Sequence, residues 1–289
     1  MSAHSHHSSS LNSSQPRVVV LALASDFGCQ IQLSNFPHLL ETLDTIDLQY
    51  WQLVMCGDLP RDFDIAIIEG AVTTDEHVEL LQKLRRIAHS IITIGACAAS
   101  GGIPALAADR LEEHAQSVYG DAADKLACGR RVPKPVSSVV EVDYTIHGCP
   151  IDPEEFSNIL QAALLGVKER PRREPLCATC KIIENPCFYL RQAAETQAAK
   201  AEGKGSVAIP CLGLVTRTGC GAHCISRGRP CTGCRGIAED ANLESARNFV
   251  RKIGRSVEEF DNALRIYSAH ALSEAASGAA AEKKTEEGA

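Results

Sequence analysis

Arg17-Val-Val-Val-Leu-Ala-Leu-Ala24, running into Ser25-Asp26-Phe27-Gly28-Cys29, is the stretch that decides the fold. An unbroken apolar run that stops at turn-forming residues reads as a strand covered on both faces, as inside a parallel sheet. Asp64-Ile-Ala-Ile-Ile68 repeats the pattern and ends in Glu69-Gly70. Ser90-Ile-Ile-Thr-Ile94 repeats it again and ends in Gly95-Ala96-Cys97, and Val139 to Ile146 gives a further strand before His147-Gly148-Cys149-Pro150. Helical patterns lie between them. Ile31, Leu33, Leu39, Leu40 and Leu43 mark the first; Val78, Leu81, Leu84 and Ile87 recur within Glu76 to Ala88. Pro153 opens another, with Phe156, Ile159, Leu160, Ala163 and Leu164 as its apolar stripe. Alternating strands and helices predict an α/β domain with a doubly wound, mainly parallel, flavodoxin-like sheet.

The special residues fall just past the carboxyl ends of these strands: Asp26 and Cys29, then Cys97, then Cys149. Open α/β sheets bind ligands in the crevice beyond those ends, so three loops from separate parts of the chain deliver side chains to one place. Cys29, Cys97 and Cys149 can supply three ligands to an iron–sulfur cluster. Asp26, three residues before Cys29, stands where a Cys-x-x-Cys pair would have its first member. A carboxylate binds iron as a harder donor than thiolate, but Asp is also a common helix N-cap. Glu69 reads as an ordinary polar turn residue, and His147 as solvated or hydrogen-bonded.

From about Pro171 the composition changes. Cys177, Cys180, Cys187, Cys211, Cys220, Cys224, Cys231 and Cys234 are eight thiols in a segment poor in long apolar runs, so its fold must rest on metal centres. Eight thiols suffice for two 4Fe–4S clusters, and sequence alone does not pair them, because neighbouring clusters exchange cysteines between local runs. Two zinc sites are the rival, since Cys177-Ala-Thr-Cys180 and Cys231-Thr-Gly-Cys234 have zinc-like spacing. The wider gaps from Cys180 to Cys187 and from Cys224 to Cys231, beside the strand-end donors, favour iron–sulfur. His223, among these thiols, reads as solvated; Cys56 and Cys128 read as buried, inert thiols. The Ala- and Lys-rich stretch between Cys187 and Cys211 reads as an exposed excursion. Asp240 to Val250 reads as a helix, and Ser256 opens another with Phe260, Leu264 and Tyr267 on one face.

Composition narrows the function. The chain has 289 residues, 13 cysteines and a formal charge of −7, with 4% aromatic residues. That charge and the shortage of stacking rings argue against a nucleic-acid partner. No apolar run is long enough to cross a membrane. The leader, MSAHSHHSSSLNSSQ, lacks the basic and apolar regions of a secretory signal. So many thiols without one point to metal ligation in the cytoplasm.

GACAASGGIP around Cys97, HGCPIDPEEF around Cys149 and PCLGLVTRTGCGAHC with PCTGCRG together resemble the small subunit of a [NiFe]-hydrogenase, in particular the delta subunits of sulfhydrogenases and NADP-linked bidirectional enzymes. The F420-linked and heterodisulfide-reductase-linked small subunits are relatives. Composition predicts a disordered leader (1–15) and a disordered tail (273–289), and the helical patterns predict C-terminal helices (241–272); the resemblance implies a flavodoxin-like domain (16–172) holding the proximal cluster and a ferredoxin-like domain (173–240) holding two more. It implies that Cys29, Cys97 and Cys149 are proximal-cluster ligands. Most members have Cys-x-x-Cys where this chain has Asp26-Phe-Gly-Cys29, and some use aspartate, which makes Asp26 the fourth ligand. It further implies three iron–sulfur clusters relaying electrons between a nickel-bearing large subunit and a downstream flavin- or iron–sulfur-containing diaphorase or reductase subunit. A complex-I-like wiring subunit without hydrogen chemistry and a zinc-binding structural protein are the alternatives.

Overall fold

The computed structural model describes residues 15–36, 38–125, 130–168, 172–191 and 210–286, with side chains of the last helix as far as 275. The strands are β1 (Arg17–Ala22), β2 (Asp47–Trp51), β3 (Ile65–Glu69), β4 (Val72–Thr74), β5 (Ser90–Ile94), β6 (Arg130–Lys134) and β7 (Tyr144–Ile146). Five of them make one parallel sheet in the order β2-β1-β3-β5-β7. That is the flavodoxin order, with its switch point between β1 and β3. β4 and β6 form a small antiparallel ribbon beside it.

Both faces of the central strands β1, β3 and β5 are covered, which is why these strands are almost wholly apolar. Val18 and Val20 of β1 pack with Ile65, Ile67, Ile92 and Ile94 in one core, under α1 (Gly28–Ser34), α2 (Leu39–Leu43) and α6 (Pro153–Leu164). The alternate residues Val19 and Leu21 join Ala66, Ile68 and Ile91 in the other core, closed by Leu81 and Leu84 of α3 (Asp75–Ile87). Period-two alternation within each strand thus divides its side chains between two cores. The remaining helices of this domain are α4 (Gly95–Ser100) and α5 (Leu111–Tyr119), joined by a 3₁₀ segment, Ile103–Arg110.

Two helices in this domain carry side-chain caps. Thr74 Oγ1 accepts from the His77 N–H at 3.2 Å and opens α3. Asp152 Oδ1 accepts from the N–H groups of Glu154 and Glu155, both at 3.1 Å, with Pro153 opening α6. Asp152 Oδ2 also meets His223 Nε2 at 3.0 Å, tying α6 to the cysteine-rich unit. Asp152→Ala is expected to cost about 1–2 kcal/mol, at the upper end for a cap. A thermal unfolding midpoint equal to the parent's would show that the cap contributes nothing.

The second unit holds α7 (Leu176–Ile182), a 3₁₀ turn (Leu212–Leu214) and α8 (His223–Ser226), followed by α9 (Leu243–Lys252) and α10 (Val257–Glu286). Among the described residues it has no regular strand, only isolated bridges such as Pro175–Arg217 and Thr216–Ile237. Its core joins Leu176, Leu212, Val215 and Ile225 to the buried cysteines 180, 211 and 231, and Val250, Phe260 and Leu264 from the C-terminal helices close it. Those helices therefore share a core with the cysteine-rich segment.

Several expectations need correction. The strand expected over Val139 to Ile146 is only Tyr144–Ile146, because Val136–Ser138 is a 3₁₀ turn and the chain straightens after it. The tail from 273, expected to be unstructured, is helical as far as Glu286, in keeping with its Ala, Glu and Lys content. Cys56 is exposed rather than buried. Cys128, residues 1–14 of the leader and most of the stretch between Cys187 and Cys211 lie outside the described residues.

Candidate iron–sulfur sites

Beyond the carboxyl ends of β1, β3, β5 and β7 lies a cavity of about 390 Å³. Asp26, Cys29, Glu69, Cys97 and Cys149 all line it, so the three strand-end loops meet there. Glycines make the room. Gly95 has φ +88°, and a Cβ there would stand 2.5 Å from Cys29 Sγ. A Cβ on Gly102 (φ +51°) would stand 3.0 Å from Cys97 Sγ and 2.9 Å from its backbone. The loop bearing Cys149 is held by the Ala96 N–H, which donates to the Gly148 carbonyl at 2.7 Å.

Asp26 serves a local purpose as well. Its Oδ1 accepts from the Gly28 N–H at 2.9 Å, shaping the turn before α1, while the N-cap position itself is Phe27, at φ 60°. That bond engages one carboxylate oxygen and leaves the other for an external partner. Glu69, read from sequence as a turn residue, is 2% exposed. It accepts from the N–H groups of Cys29 (3.0 Å) and Gln30 (3.4 Å) at the start of α1, and burial raises its pKa. A lone apolar strand ending in Glu gives no hint of this; the partner helix lies about 40 residues upstream.

Burial, with Glu69 close by, pushes the Cys29 thiol far up; burial and the neighbouring Cys149 push Cys97 to about 11, and burial raises Cys149 too. Metal ligation requires thiolates. A group bound here must therefore bring positive charge of its own, as iron does. Three soft donors and one hard one around a glycine-lined space fit an iron–sulfur cluster.

Seven of the eight remaining thiols sort into two neighbourhoods. Cys177 and Cys180 lie on α7, and Cys177 feels Cys211, Cys180 and Cys187, its own thiol pushed to about 11 chiefly by burial. Tyr189 pins Cys211, donating to its carbonyl at 3.0 Å and accepting from its N–H at 3.2 Å. A Cβ on Gly213 would lie 3.7 Å from both Cys177 Sγ and Cys211 Sγ. In the other neighbourhood Cys234 faces Cys220 and Cys224. Cys231 stands between the two, its N–H donating to Cys211 Sγ at 3.3 Å and its thiol facing Cys234 as well. Among the described residues no three Cys, His, Asp or Glu side chains converge tightly enough to hold a single ion.

One residue that sequence reasoning missed joins the units. Arg235, beside Cys234, is 2% exposed and forms a bidentate pair with Glu155 of α6 at 2.6 and 2.7 Å. It also donates to the carbonyls of His147 (2.7 Å) and Thr218 (2.9 Å). Its guanidinium thus fastens the loop leading to Cys149 and the loop leading to Cys220. No local pattern could have found it, because all its partners are remote in sequence. His147 itself has a neutral ring, its pKa lowered to about 3 by loss of solvent and by Arg217 and Arg235, and its Nδ1 is buried without a partner.

Residues 27–163 match the family described as NADH ubiquinone oxidoreductase, 20 Kd subunit. The chain is 29% identical over 250 residues to sulfhydrogenase 2 subunit delta of Pyrococcus furiosus, covering 86% of this chain and 98% of that one. It is 31% identical to a chain of the crystal structure of an NAD+-reducing [NiFe]-hydrogenase in the H2-reduced state, across 54% of this chain and 96% of that one (TM-score 0.46). A chain of the Dm. baculatum [NiFeSe]-hydrogenase shares the fold, with TM-score 0.53 and 18% identity over 78% of this chain and 95% of that one. With thiols at the switch point of a flavodoxin-like sheet and likeness over 86% of its length to the delta subunit of a sulfhydrogenase, the chain is similar to hydrogenase small subunits.

Proposed function

We propose that this electron-transfer small subunit carries three iron–sulfur clusters, the first of them held by Asp26, Cys29, Cys97 and Cys149. The observation that carries the reading is the single cavity that all four side chains line at the carboxyl end of the sheet. When bound, the clusters accept and release one electron at a time, at potentials set by ligand type and hydrogen bonding. Cys177, Cys180, Cys187 and Cys211 form one further ligand set, and Cys220, Cys224, Cys231 and Cys234 the other. The second set lies nearer the first cavity, since the Cys149 backbone approaches Cys234.

The residues order the path. The large subunit, where hydrogen is split, covers the first cavity, whose rim includes the half-exposed Ile103. The downstream subunit, a diaphorase or reductase, docks by the set containing Cys187, around which Ile182, Ile183 and Leu190 are exposed. No described helix is long and apolar enough to cross a membrane, and the reading places the complex in the cytoplasm.

Cys97→Ser is expected to remove the proximal-cluster signal from the electron paramagnetic resonance (EPR) spectrum and about four irons per chain, sparing the other two clusters. Unchanged iron and spectra would sink the assignment. The matched family description favours one second reading, a dehydrogenase wiring subunit without hydrogen chemistry. Nickel in the co-purifying large subunit decides between them.

A further inference from the structure

Helix α10 touches both units. Phe260 and Leu264 are buried in the core of the second. From Arg265 onward the helix reaches the α/β domain: Arg265 meets Asp109 at 2.5 Å, and a Cβ on Gly101 would lie 3.7 Å from that of His270. Ser100 Oγ donates to the Tyr267 carbonyl at 2.9 Å, and Ser100 closes α4, the helix bearing Cys97. Immediately after Tyr267 the backbone leaves the helical region, with Ser268 at φ −131° and ψ 16°. Tyr267 is therefore fixed from both sides, by a bond to α4 and by a break in its own helix. Its phenol stands among Cys149, Cys97 and Cys234, with its hydroxyl toward the Cys149 sulfur.

We propose that Tyr267 is a positioning residue of the proximal cluster, donating its O–H to the Cys149 sulfur and thereby raising the cluster's reduction potential. The proposal rests on the reading of Cys149 as a ligand. Reduction places added negative charge partly on the ligand sulfurs, and a donor aimed at one of them stabilises the reduced form. The same ring faces Cys234, so one side chain lies between the first cluster and the next. Phe260 and Leu264 on the same face pack into a core; Tyr267 differs in carrying a donor to where that face meets the cysteines.

The test is a redox titration of the purified complex followed by EPR, with the proximal signal identified as the one lost in Cys149→Ser. Tyr267→Phe keeps the ring and should retain iron and signal, shift the proximal midpoint to a lower potential and leave the other two clusters unmoved. A hyperfine coupling to an exchangeable proton, present in the parent in ordinary water and lost in deuterium oxide, should also be missing from the variant. An unmoved midpoint overturns the proposal while leaving Cys149 a ligand. If Cys149→Ser retains the proximal signal, the ligand assignment fails and the proposal with it. Should Tyr267→Phe lose iron, the parent's own spectrum decides, and no exchangeable proton coupling there overturns the proposal.

Discussion

Arg235→Met is expected to destabilise the protein by about 3–5 kcal/mol, the usual consequence of removing one partner of a buried ion pair. The parent guanidinium satisfies Glu155 through two bonds and two backbone carbonyls besides. Without it a largely buried carboxylate and the carbonyls of His147 and Thr218 lose their donor together. A whole domain has only about 5–15 kcal/mol of net stability, so the loss takes a large fraction of it. Arg235→Lys should rescue little, since an ammonium cannot reproduce the planar fork that serves partners on two domains. Denaturant unfolding of the anaerobically purified protein measures both. A lysine variant as stable as the parent would show that the fork geometry is irrelevant.

Gly95→Ala should be nearly as damaging, and in a different way. At φ +88° the new side chain is strained by about 1–2 kcal/mol. Its Cβ would also lie 2.5 Å from Cys29 Sγ, and relieving that overlap costs about 1–3 kcal/mol more. Because the obstructed atom is a proposed ligand, the variant is expected to lose about four irons per chain as well as stability. Gly120→Ala provides the contrast. Gly120 also has positive φ, at +52°, but nothing lies within 4 Å of its added carbon, so iron content should not change. Equal iron in Gly95→Ala and the parent would mean that the cavity does not need that space.

The sheet was legible wherever a strand is covered on both faces. Val18 to Leu21, Ile65 to Ile68 and Ile91 to Ile94 have almost no polar interruption, and each is a central strand. The edge strand β2 escaped notice because Asp47-Leu-Gln-Tyr-Trp51 is covered unevenly and its polar residues read as loop. The ribbon of β4 and β6 escaped because pairing joins residues more than 50 apart. Cys29, Cys97 and Cys149 were legible as a set because strand ends converge in this architecture whatever the loops contain. Glu69, Arg235 and Tyr267 were not. Their roles come from partners that only the folded chain supplies, and Tyr267 even satisfied an apolar stripe. The sorting of seven thiols into two neighbourhoods, with Cys231 between them, likewise required the fold.

The strand-end cavity gathers side chains from residues 26, 29, 97 and 149, so its donors are brought together by the folding of the whole α/β domain. The other thiols run from 177 to 234 and are themselves part of the small core that they would stabilise. The two kinds of site should then be filled in opposite order relative to folding. The first would be a prepared receptacle, loaded after the sheet has formed and before a partner closes its mouth; in the second unit, acquiring an inorganic core and acquiring shape would be one event. A chain starved of iron would accordingly emerge half-built, with an intact α/β domain and an unfolded neighbour. Biogenesis of the complex would then have its checkpoint at the cysteine-rich end.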